Sequence, residues 1–210
     1  MNENITLYGI TGNCSLSLEA AVEAALQGGV GMVQLREKNI SDEEYVRKAK
    51  LLLGVTEQYN VPLIINDNVD VALKSGAQGV HLGQTDGSPL EARKILGENA
   101  IIGVTAKTVE MAVKAERDGA DYLGCGAVFG SVTKENAVPM KMETLRDICA
   151  AVSIPVYAIG GIDPSNAGLL KGTGIQGIAV VSAIFGKRSF EDINAAARLL
   201  KKISLEISGD

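Results

Sequence analysis

Two aspartates in the stretch Ile64 to Asp86, IINDNVDVALKSGAQGVHLGQTD, have positions that suit a metal site. Asp67 and Asp86 each follow a short apolar run, and a helix-like segment separates the two runs. A helix between two strands makes the strands parallel, and neighbouring strands lie about 4.8 Å apart, so both carboxylates reach one edge of the sheet. Two unneutralised carboxylates at such a distance repel each other, and a shared Mg²⁺ is the simplest reason to place both there.

The alternative interpretation gives each aspartate a purely structural role. Asp67 would cap a helix that begins at Val69, and Asp86 would cap a helix that begins at Pro89. The spacing of the two residues fits both interpretations, so the choice depends on the rest of the chain.

Polar residues follow other short apolar runs in the same way. The segment QLREK at 34–38 offers donors for a phosphate group together with one carboxylate. Its alternative is a solvated loop in which Arg36 and Glu37 pair locally. Asn66 ends the run before Asp67, and Thr105 ends a further run.

A longer polar segment runs from Gly126 to Asn136. It carries hydroxyls at Ser131 and Thr133 and a cation at Lys134. We expect a mobile lid that folds over a phosphate, with an ordinary surface loop as the alternative.

The fold must bring these residues together. The chain repeats one sequence pattern: a helix that ends in glycine, a few residues, and then a short apolar strand. Dividing 210 residues among eight strands gives about 26 residues per unit, which suits a strand-plus-helix repeat. The predicted strands are Thr6–Ile10, Met32–Leu35, Leu63–Ile65, Gly79–Leu82, Ile101–Val104, Tyr122–Cys125, Val156–Ile159 and Gly177–Val181.

Amphipathic segments between these strands predict the helices. They are Leu18–Gln27, Asp42–Tyr59, Val69–Lys74, Val109–Asp118, Thr144–Ala151 and Phe190–Ser208, with helix starts also at Ser88-Pro89 and Asp163-Pro164. Strict alternation indicates an α/β fold, a closed (β/α)₈ or TIM barrel that forms one domain over residues 1–210. An open doubly wound sheet is the alternative.

In such barrels the reacting groups collect at the C-terminal ends of the strands, and the ends of strands seven and eight commonly cradle a phosphate. Here those ends carry Gly160-Gly161-Ile162 and Val181-Ser182. Glycine lets backbone N–H groups approach a phosphate. We therefore expect two anion sites: one with Mg²⁺, Arg36, Lys38 and Lys134, suited to a diphosphate, and one of backbone groups at Gly161 and Ser182, suited to a monophosphate.

Composition narrows the function classes. The net charge is −5, apolar residues make up 46 %, and no basic cluster indicates nucleic acid. The N-terminus has no signal-peptide pattern, no run is long enough for a membrane span, and three scattered cysteines fit reduced thiols in a cytoplasm. His81 is the only histidine, which excludes mechanisms that need two imidazoles. We expect it in the core or at the barrel mouth, bonded to backbone, with acid–base catalysis as the alternative; Tyr8 could also face the mouth.

Seven motifs together resemble the thiamin-phosphate synthase family. They are QLREK at 34–38, INDNVD at 65–70, GVHLGQTD at 79–86, IGVTAKT at 102–108, SVTK at 131–134, AIGGI at 158–162 and VVSAI at 180–184. The resemblance covers nearly the whole chain in order. It implies an enzyme that joins hydroxymethylpyrimidine diphosphate to a thiazole phosphate, with or without a carboxylate, and releases diphosphate.

The resemblance also implies roles for individual residues. Mg²⁺ binds Asp67 and Asp86, and catalysis involves Arg36, Thr105 and Lys134. The residues implied to hold the pyrimidine diphosphate are Gln34, Leu35, Arg36, Glu37, Lys38, Asn66 and Lys134. Those implied to hold the thiazole phosphate are Ser131, Val132, Thr133, Gly161, Val181 and Ser182.

Three positions depart from the family pattern. Thr105 stands where the family usually has serine and keeps the hydroxyl. Asn68 replaces a common arginine and removes a cation. Lys107 replaces a common histidine, and a related thiazole tautomerase uses that histidine for proton transfer, so Lys107 favours the synthase.

Two other functions stay open at this point. A phosphosugar isomerase or epimerase could share the barrel. The metal-dependent epimerases normally need several histidines, so the single histidine argues against that type. A non-catalytic or tautomerase-like relative could bind thiazole phosphate without releasing diphosphate. The oligomeric state, including a homo-oligomer, is not determined by the sequence.

Overall fold

A computed structural model describes residues 5–130 and 139–208, and the predicted strands are all found there. Each strand is short and almost wholly buried. The strands are β1 Leu7–Ile10, β2 Met32–Leu35, β3 Leu63–Asn66, β4 Gly79–Leu82, β5 Ile101–Ala106, β6 Tyr122–Gly126, β7 Val156–Ile159 and β8 Gly177–Val180.

Helices follow the strands in the predicted alternation. They are α1 Leu18–Gln27, α2 Asp42–Thr56, α3 Val69–Ser75, α4 Pro89–Leu96, α5 Val109–Arg117, α6 Met142–Ala151, α7 Ser182–Phe185 and α8 Phe190–Ile207. Two short 3₁₀ helices, Glu57–Tyr59 and Ala167–Leu170, complete the described elements.

The eight strands form a closed parallel barrel in sequence order. Strand β1 pairs with β2 through Tyr8 and Met32, and it also pairs with β8 through Tyr8 and Ala179. That second pairing closes the sheet, so the predicted barrel is confirmed and the open sheet is wrong. We call the end formed by the C-terminal ends of the strands the mouth, and the opposite end the floor.

Local chemistry explains where the helices begin. The side chains of Ser17, Ser41, Thr108 and Ser189 each accept a hydrogen bond from a first-turn amide of the helix that follows. Such caps satisfy backbone donors that the helix leaves without partners. Gly76 ends α3 with φ +79°, a left-handed conformation that favours glycine.

Apolar side chains pack in two layers. Inside the barrel, the buried residues include Tyr8, Met32, Ile64, Tyr122 and Tyr157. A larger layer lies between the strands and the surrounding helices. Because both faces of each strand are buried, the strands read as apolar runs without alternation.

The helix predicted from Asp163-Pro164 is wrong. The Asp163 carboxylate instead accepts hydrogen bonds from the Ser165 amide and hydroxyl at 2.7 and 2.6 Å, which holds a turn. Gly172 and Gly174, both with positive φ, follow soon after the 3₁₀ helix. Between Asp163 and β8 the structure has only the 3₁₀ helix Ala167–Leu170.

Two further findings bear on the sequence predictions. Cys14, Cys125 and Cys149 are free thiols, as expected. Across residues 5–130 and 139–208, the helices lack the combination of length and apolar composition that crossing a bilayer requires.

Candidate active site

The mouth of the barrel holds a cavity of about 150 Å³. Strand closure brings residues from all eight strands or strand ends to its wall, although these residues are far apart in sequence. Predicted site residues in this wall are Gln34, Arg36, Asn66, Thr105 and Val181. Tyr8, His81 and Gly160, which the sequence placed at or near the mouth, also line it, together with Lys107 and Gly124, which had no predicted role there.

Asp67 and Asp86 lie beside this cavity and border one open depression. Partial loss of water around the Asp67 carboxyl raises its pKa, and a hydrogen bond and charge repulsion from Asp86 raise it further, while Arg36 acts in the opposite direction. The two carboxyl groups therefore lie near each other, as their strand positions predict. Their mutual repulsion is what a bound cation would remove.

The two aspartates are not the helix caps. Asn68 caps α3, because its Oδ1 accepts from the Val71 amide at 2.9 Å. Ser88 caps α4, because its Oγ accepts from the Glu91 amide at 3.2 Å. The capping interpretation is therefore wrong, and both carboxylates are left to the mouth.

Backbone geometry fixes the direction of each aspartate. Asp67 has φ +65°, which is uncommon for a residue with a side chain. Its amide donates to the His81 carbonyl at 2.8 Å, which ties the end of β3 to β4. The Asp86 carboxylate accepts from the Gly83 amide at 2.8 Å and so closes the loop after β4.

Tyr45 joins the strand ends that carry the charged residues. From α2, its hydroxyl lies 2.8 Å from the Leu35 carbonyl and 3.2 Å from the Asn66 carbonyl. Two neighbouring strands, β2 and β3, are thus held at the height where Arg36 and Asp67 follow them. This role has no signal in the sequence, since a buried tyrosine in an amphipathic helix is an ordinary core residue.

The segment after β2 is only partly free to bind an anion. Glu37 forms an ion pair with Lys48 of α2 at 2.9 Å. Its partner is therefore Lys48 and not Arg36, the partner in the alternative interpretation. The Arg36 amide donates to the Thr11 hydroxyl at 2.9 Å, while its side chain reaches the cavity wall. Lys38 is exposed at the rim.

Leu35 has a different environment from its neighbours. Its side chain is fully buried in the layer between strands and helices. A substrate in the cavity could meet only its backbone, whose carbonyl already accepts from Tyr45.

A chain of hydrogen bonds crosses the barrel interior at the wall of the cavity. Gln34 Nε2 donates to the Tyr8 hydroxyl at 2.5 Å, and Tyr8 and Tyr122 hydroxyls lie 2.8 Å apart. His81 Nδ1 lies 3.1 Å from the Tyr122 hydroxyl, and its Nε2 lies 3.0 Å from the Thr105 hydroxyl. His81 therefore bonds to two side chains, Tyr122 and Thr105.

Polar residues inside apolar strands are the sequence signal that indicates these buried hydrogen bonds. Tyr8, His81 and Tyr122 each interrupt an apolar run, and a buried polar group requires a partner. Their partners are up to 114 residues away, so the pairing itself could not be read from the sequence.

The glycines at the end of β7, where the sequence predicts a monophosphate site, have a structural reason of their own. Gly160 and Gly161 have φ +102° and +64°. A Cβ at Gly161 would lie 2.8 Å from the Phe129 carbonyl oxygen, so close packing against the loop after β6 already requires glycine. Gly161 and Ser182 are exposed near Val181 of the cavity wall.

Part of the prediction lies outside the described residues. This applies to Ser131, Val132, Thr133 and Lys134, and to most of the predicted lid from Gly126 to Asn136. Their roles stay predictions.

Sequence comparison identifies a family. Residues 7–184 match the sequence model described as thiamine monophosphate synthase. The chain is 48 % identical over 202 residues to a thiamine-phosphate synthase of Clostridium tetani, covering 95 % of each chain. It is 49 % identical over 201 residues to a thiamine-phosphate synthase of Ruminiclostridium cellulolyticum, covering 94 % of each.

Structural comparison agrees. A thiamine phosphate pyrophosphorylase from Pyrococcus furiosus superposes with a TM-score of 0.89 and 40 % identity, covering 99 % of both chains. A structure titled native KDPGal, at 18 % identity and a TM-score of 0.73, shares the fold alone.

Proposed function

Because the chain belongs to the thiamine monophosphate synthase family, we propose that it joins an aminopyrimidine methyl diphosphate to a thiazole phosphate. The products are thiamin phosphate and diphosphate, so the enzyme is a transferase. The observation that carries this proposal is a cavity with Arg36 in its wall and two facing carboxylates beside it.

The residues at the mouth fit Mg²⁺. Asp67 and Asp86 offer oxygen ligands, and the raised pKa of Asp67 reflects a repulsion that a cation relieves. Within residues 5–130 and 139–208, no three His, Cys, Asp or Glu side chains form a metal-binding group. Two carboxylates still suffice, because Mg²⁺ keeps several waters and commonly takes substrate phosphates as ligands. When bound, the ion supplies positive charge beside the diphosphate.

The chain's own residues position the diphosphate substrate. Gln34, Asn66 and Thr105 border the cavity and offer neutral polar groups to the pyrimidine, while Arg36 offers a cation to the phosphates. Lys38 and Lys134 add cations at the rim in this proposal. Negative charge grows on the diphosphate as its bond to carbon breaks, so these cations bind the transition state more tightly than the ground state.

The thiazole phosphate occupies the opposite side of the mouth in this proposal. Backbone and hydroxyl groups of Gly161, Val181 and Ser182 hold its phosphate, together with Ser131, Val132 and Thr133. The thiazole nitrogen then attacks the methylene carbon that the diphosphate leaves. Positioning both rings and keeping water away from this carbon are the main tasks of the protein.

The chemistry asks for little proton transfer, which agrees with a chain that has one histidine. Lys107 lines the cavity where the tautomerase-like relative would have a histidine. We propose the cytoplasm as the location and these two small molecules as the partners.

A diphosphate-release assay tests the proposal. With both substrates and Mg²⁺, we expect diphosphate and thiamin phosphate in equal amounts, and no diphosphate when the thiazole phosphate is omitted. Tight binding of thiazole phosphate without diphosphate release would instead identify a non-catalytic relative. Exchange of phosphopentose isomers would identify an isomerase.

A further inference from the structure

The hydrogen-bonded chain inside the barrel has a direction. An amide nitrogen can only donate, so Gln34 Nε2 at 2.5 Å makes the Tyr8 hydroxyl oxygen an acceptor. Tyr8 is 1 % exposed, and burial raises its pKa, so the hydroxyl keeps its proton. The Tyr122 oxygen, 2.8 Å away, is the neighbouring acceptor for that proton, in a contact where either hydroxyl can donate.

The direction continues through His81. Burial also raises the pKa of Tyr122, so this hydroxyl keeps a proton to give to His81 Nδ1 at 3.1 Å. A neutral imidazole carries one N–H, and an accepting Nδ1 leaves the proton on Nε2. The Nε2–H then donates to the Thr105 hydroxyl oxygen at 3.0 Å.

We propose that His81 is a positioning residue, held as the Nε2–H tautomer, that turns the hydroxyl proton of Thr105 into the cavity. Thr105 accepts from the imidazole, so its own proton is available to an acceptor nitrogen or oxygen of the bound substrate. The identity of that substrate rests on the proposed function, whereas the tautomer does not. Tyr122 acts on Thr105 through His81, and Tyr8 acts on it through Tyr122.

Two glycines leave the space that this arrangement needs. A Cβ at Gly103 would lie 2.3 Å from the Tyr122 hydroxyl oxygen, and one at Gly124 would lie 3.0 Å from His81 Cε1. Strands β5 and β6 therefore accommodate both rings by omitting side chains beside them. Glycines in both β5 and β6 thus make space for the hydrogen-bonded side chains.

The tautomer can be measured directly, because His81 is the only histidine. Long-range ¹H–¹⁵N spectra of the untagged protein, labelled with ¹⁵N-histidine, give one imidazole pattern without substrate. We expect a pyridine-like Nδ1 and a pyrrole-like Nε2 at neutral pH. The opposite pattern, or two pyrrole-like nitrogens, would overturn the proposal whatever reaction the protein catalyses.

Two variants extend the test. Tyr122→Phe removes the donor to Nδ1, so the Nδ1 signal should shift and kcat/KM should fall about tenfold, the worth of one hydrogen bond. Tyr157→Phe is the matched control, because that buried hydroxyl donates to the Ile5 carbonyl at 3.0 Å and stands outside the chain. It should leave the His81 spectrum unchanged.

The hydroxyl of Thr105 gives the last comparison. Thr105→Ser should retain most activity, while Thr105→Val, of similar shape, should lose about tenfold or more because its donor is gone. Equal activity of Thr105→Val and wild type, or an unchanged Nδ1 signal in Tyr122→Phe, would contradict the proposal. If Tyr122→Phe fails to fold, the wild-type spectrum alone decides.

Discussion

Carboxylates at the two ends of the barrel have opposite environments. At the mouth, partial burial and Asp86 raise the pKa of Asp67. At the floor, the Glu116 carboxylate accepts from the Ser153 hydroxyl, the Ser153 amide and the Ile154 amide at 2.6, 2.8 and 3.2 Å. These bonds, the Ser153 hydroxyl first, lower the pKa of Glu116.

A second carboxylate at the floor, that of Asp121, also has its donors within the chain. Arg93 donates to the Asp121 carboxylate at 2.8 Å and to the carbonyls of Glu98, Ala100 and Gly119. Asp121 also accepts from the Ile102 amide at 2.7 Å. These floor carboxylates have donors within the chain, whereas Asp67 and Asp86 at the mouth place two like charges side by side.

The largest expected effect is a loss of activity in Asp86→Asn, at the mouth, without a loss of stability. Loss of one charge-assisted contact should lower kcat/KM by about ten- to a hundredfold. The free energy of unfolding should not fall, because the variant removes a like-charge repulsion and Asn can still accept from the Gly83 amide. Steady-state kinetics and urea unfolding measure the two quantities.

Asp70→Asn is the matched control for this charge change. Asp70 borders the same depression on the first turn of α3. We expect activity within about twofold of wild type, since an isolated exposed charge contributes little. An equal loss in both variants would show that general charge, and not the facing pair, matters.

The second effect belongs to the floor. Arg93→Met leaves the Asp121 carboxylate and three carbonyls without this donor, so stability should fall by about 2–3 kcal/mol. For a chain of this size we expect a Tm lower by roughly 4–10 °C. Activity per folded molecule should stay within about twofold.

Arg117→Met provides the comparison for Arg93. The Arg117 side chain is 73 % exposed and reaches Asp118 at 3.4 Å. Its loss should cost less than about 0.5 kcal/mol. A large loss of activity in Arg93→Met with unchanged stability would contradict the division between floor and mouth.

The third variant, Gly124→Ala, alters the barrel interior between the mouth and the floor. Gly124→Ala places a Cβ 3.0 Å from His81 Cε1 and should displace the imidazole by a few tenths of an ångström. We expect kcat/KM to fall by about fivefold, with a small loss of stability. Gly168→Ala, where a Cβ meets nothing within 4 Å, should change neither.

The smallest effect is a difference in pH dependence, measured without divalent cations. The folded pKa of Glu116 is lowered, so its contribution is present above its ordinary pKa and lost as pH falls through the lowered value. The folded pKa of Asp67 is raised, so its ionised form destabilises at neutral pH and this penalty disappears as pH falls through the raised value.

Two variants therefore have opposite signs in urea unfolding. Glu116→Gln should be less stable than wild type at neutral pH, and Asp67→Asn should be more stable, with both differences closing in acid. The same sign for both variants would show that the two ends do not differ in this way.

The sequence predicted the barrel because its signals are local. Helix caps, glycines after helices and short apolar runs lie within a few residues of the elements they define. It also predicted that Asp67 and Asp86 meet, since parallel strands place their C-terminal ends together.

Other features had no local signal. Asn68 and Ser88 compete with their neighbouring aspartates for the cap position, and only backbone geometry decides between them. The partners of Tyr45 and His81 come from other strands. Asp163-Pro164 has the chemistry of a helix start, but the Asp163 carboxylate holds a turn at Ser165 instead.

Calorimetric titration of the pyrimidine diphosphate tests the central claim, that the facing carboxylates of the mouth hold a cation for this ligand. Binding is measured with Mg²⁺ and with EDTA, in wild type and in the Asp67→Asn, Asp86→Asn double variant. We predict that Mg²⁺ strengthens binding by at least about tenfold in wild type, the worth of one charge-assisted contact, and by less than about twofold in the double variant. An equal gain from Mg²⁺ in both proteins would contradict the claim.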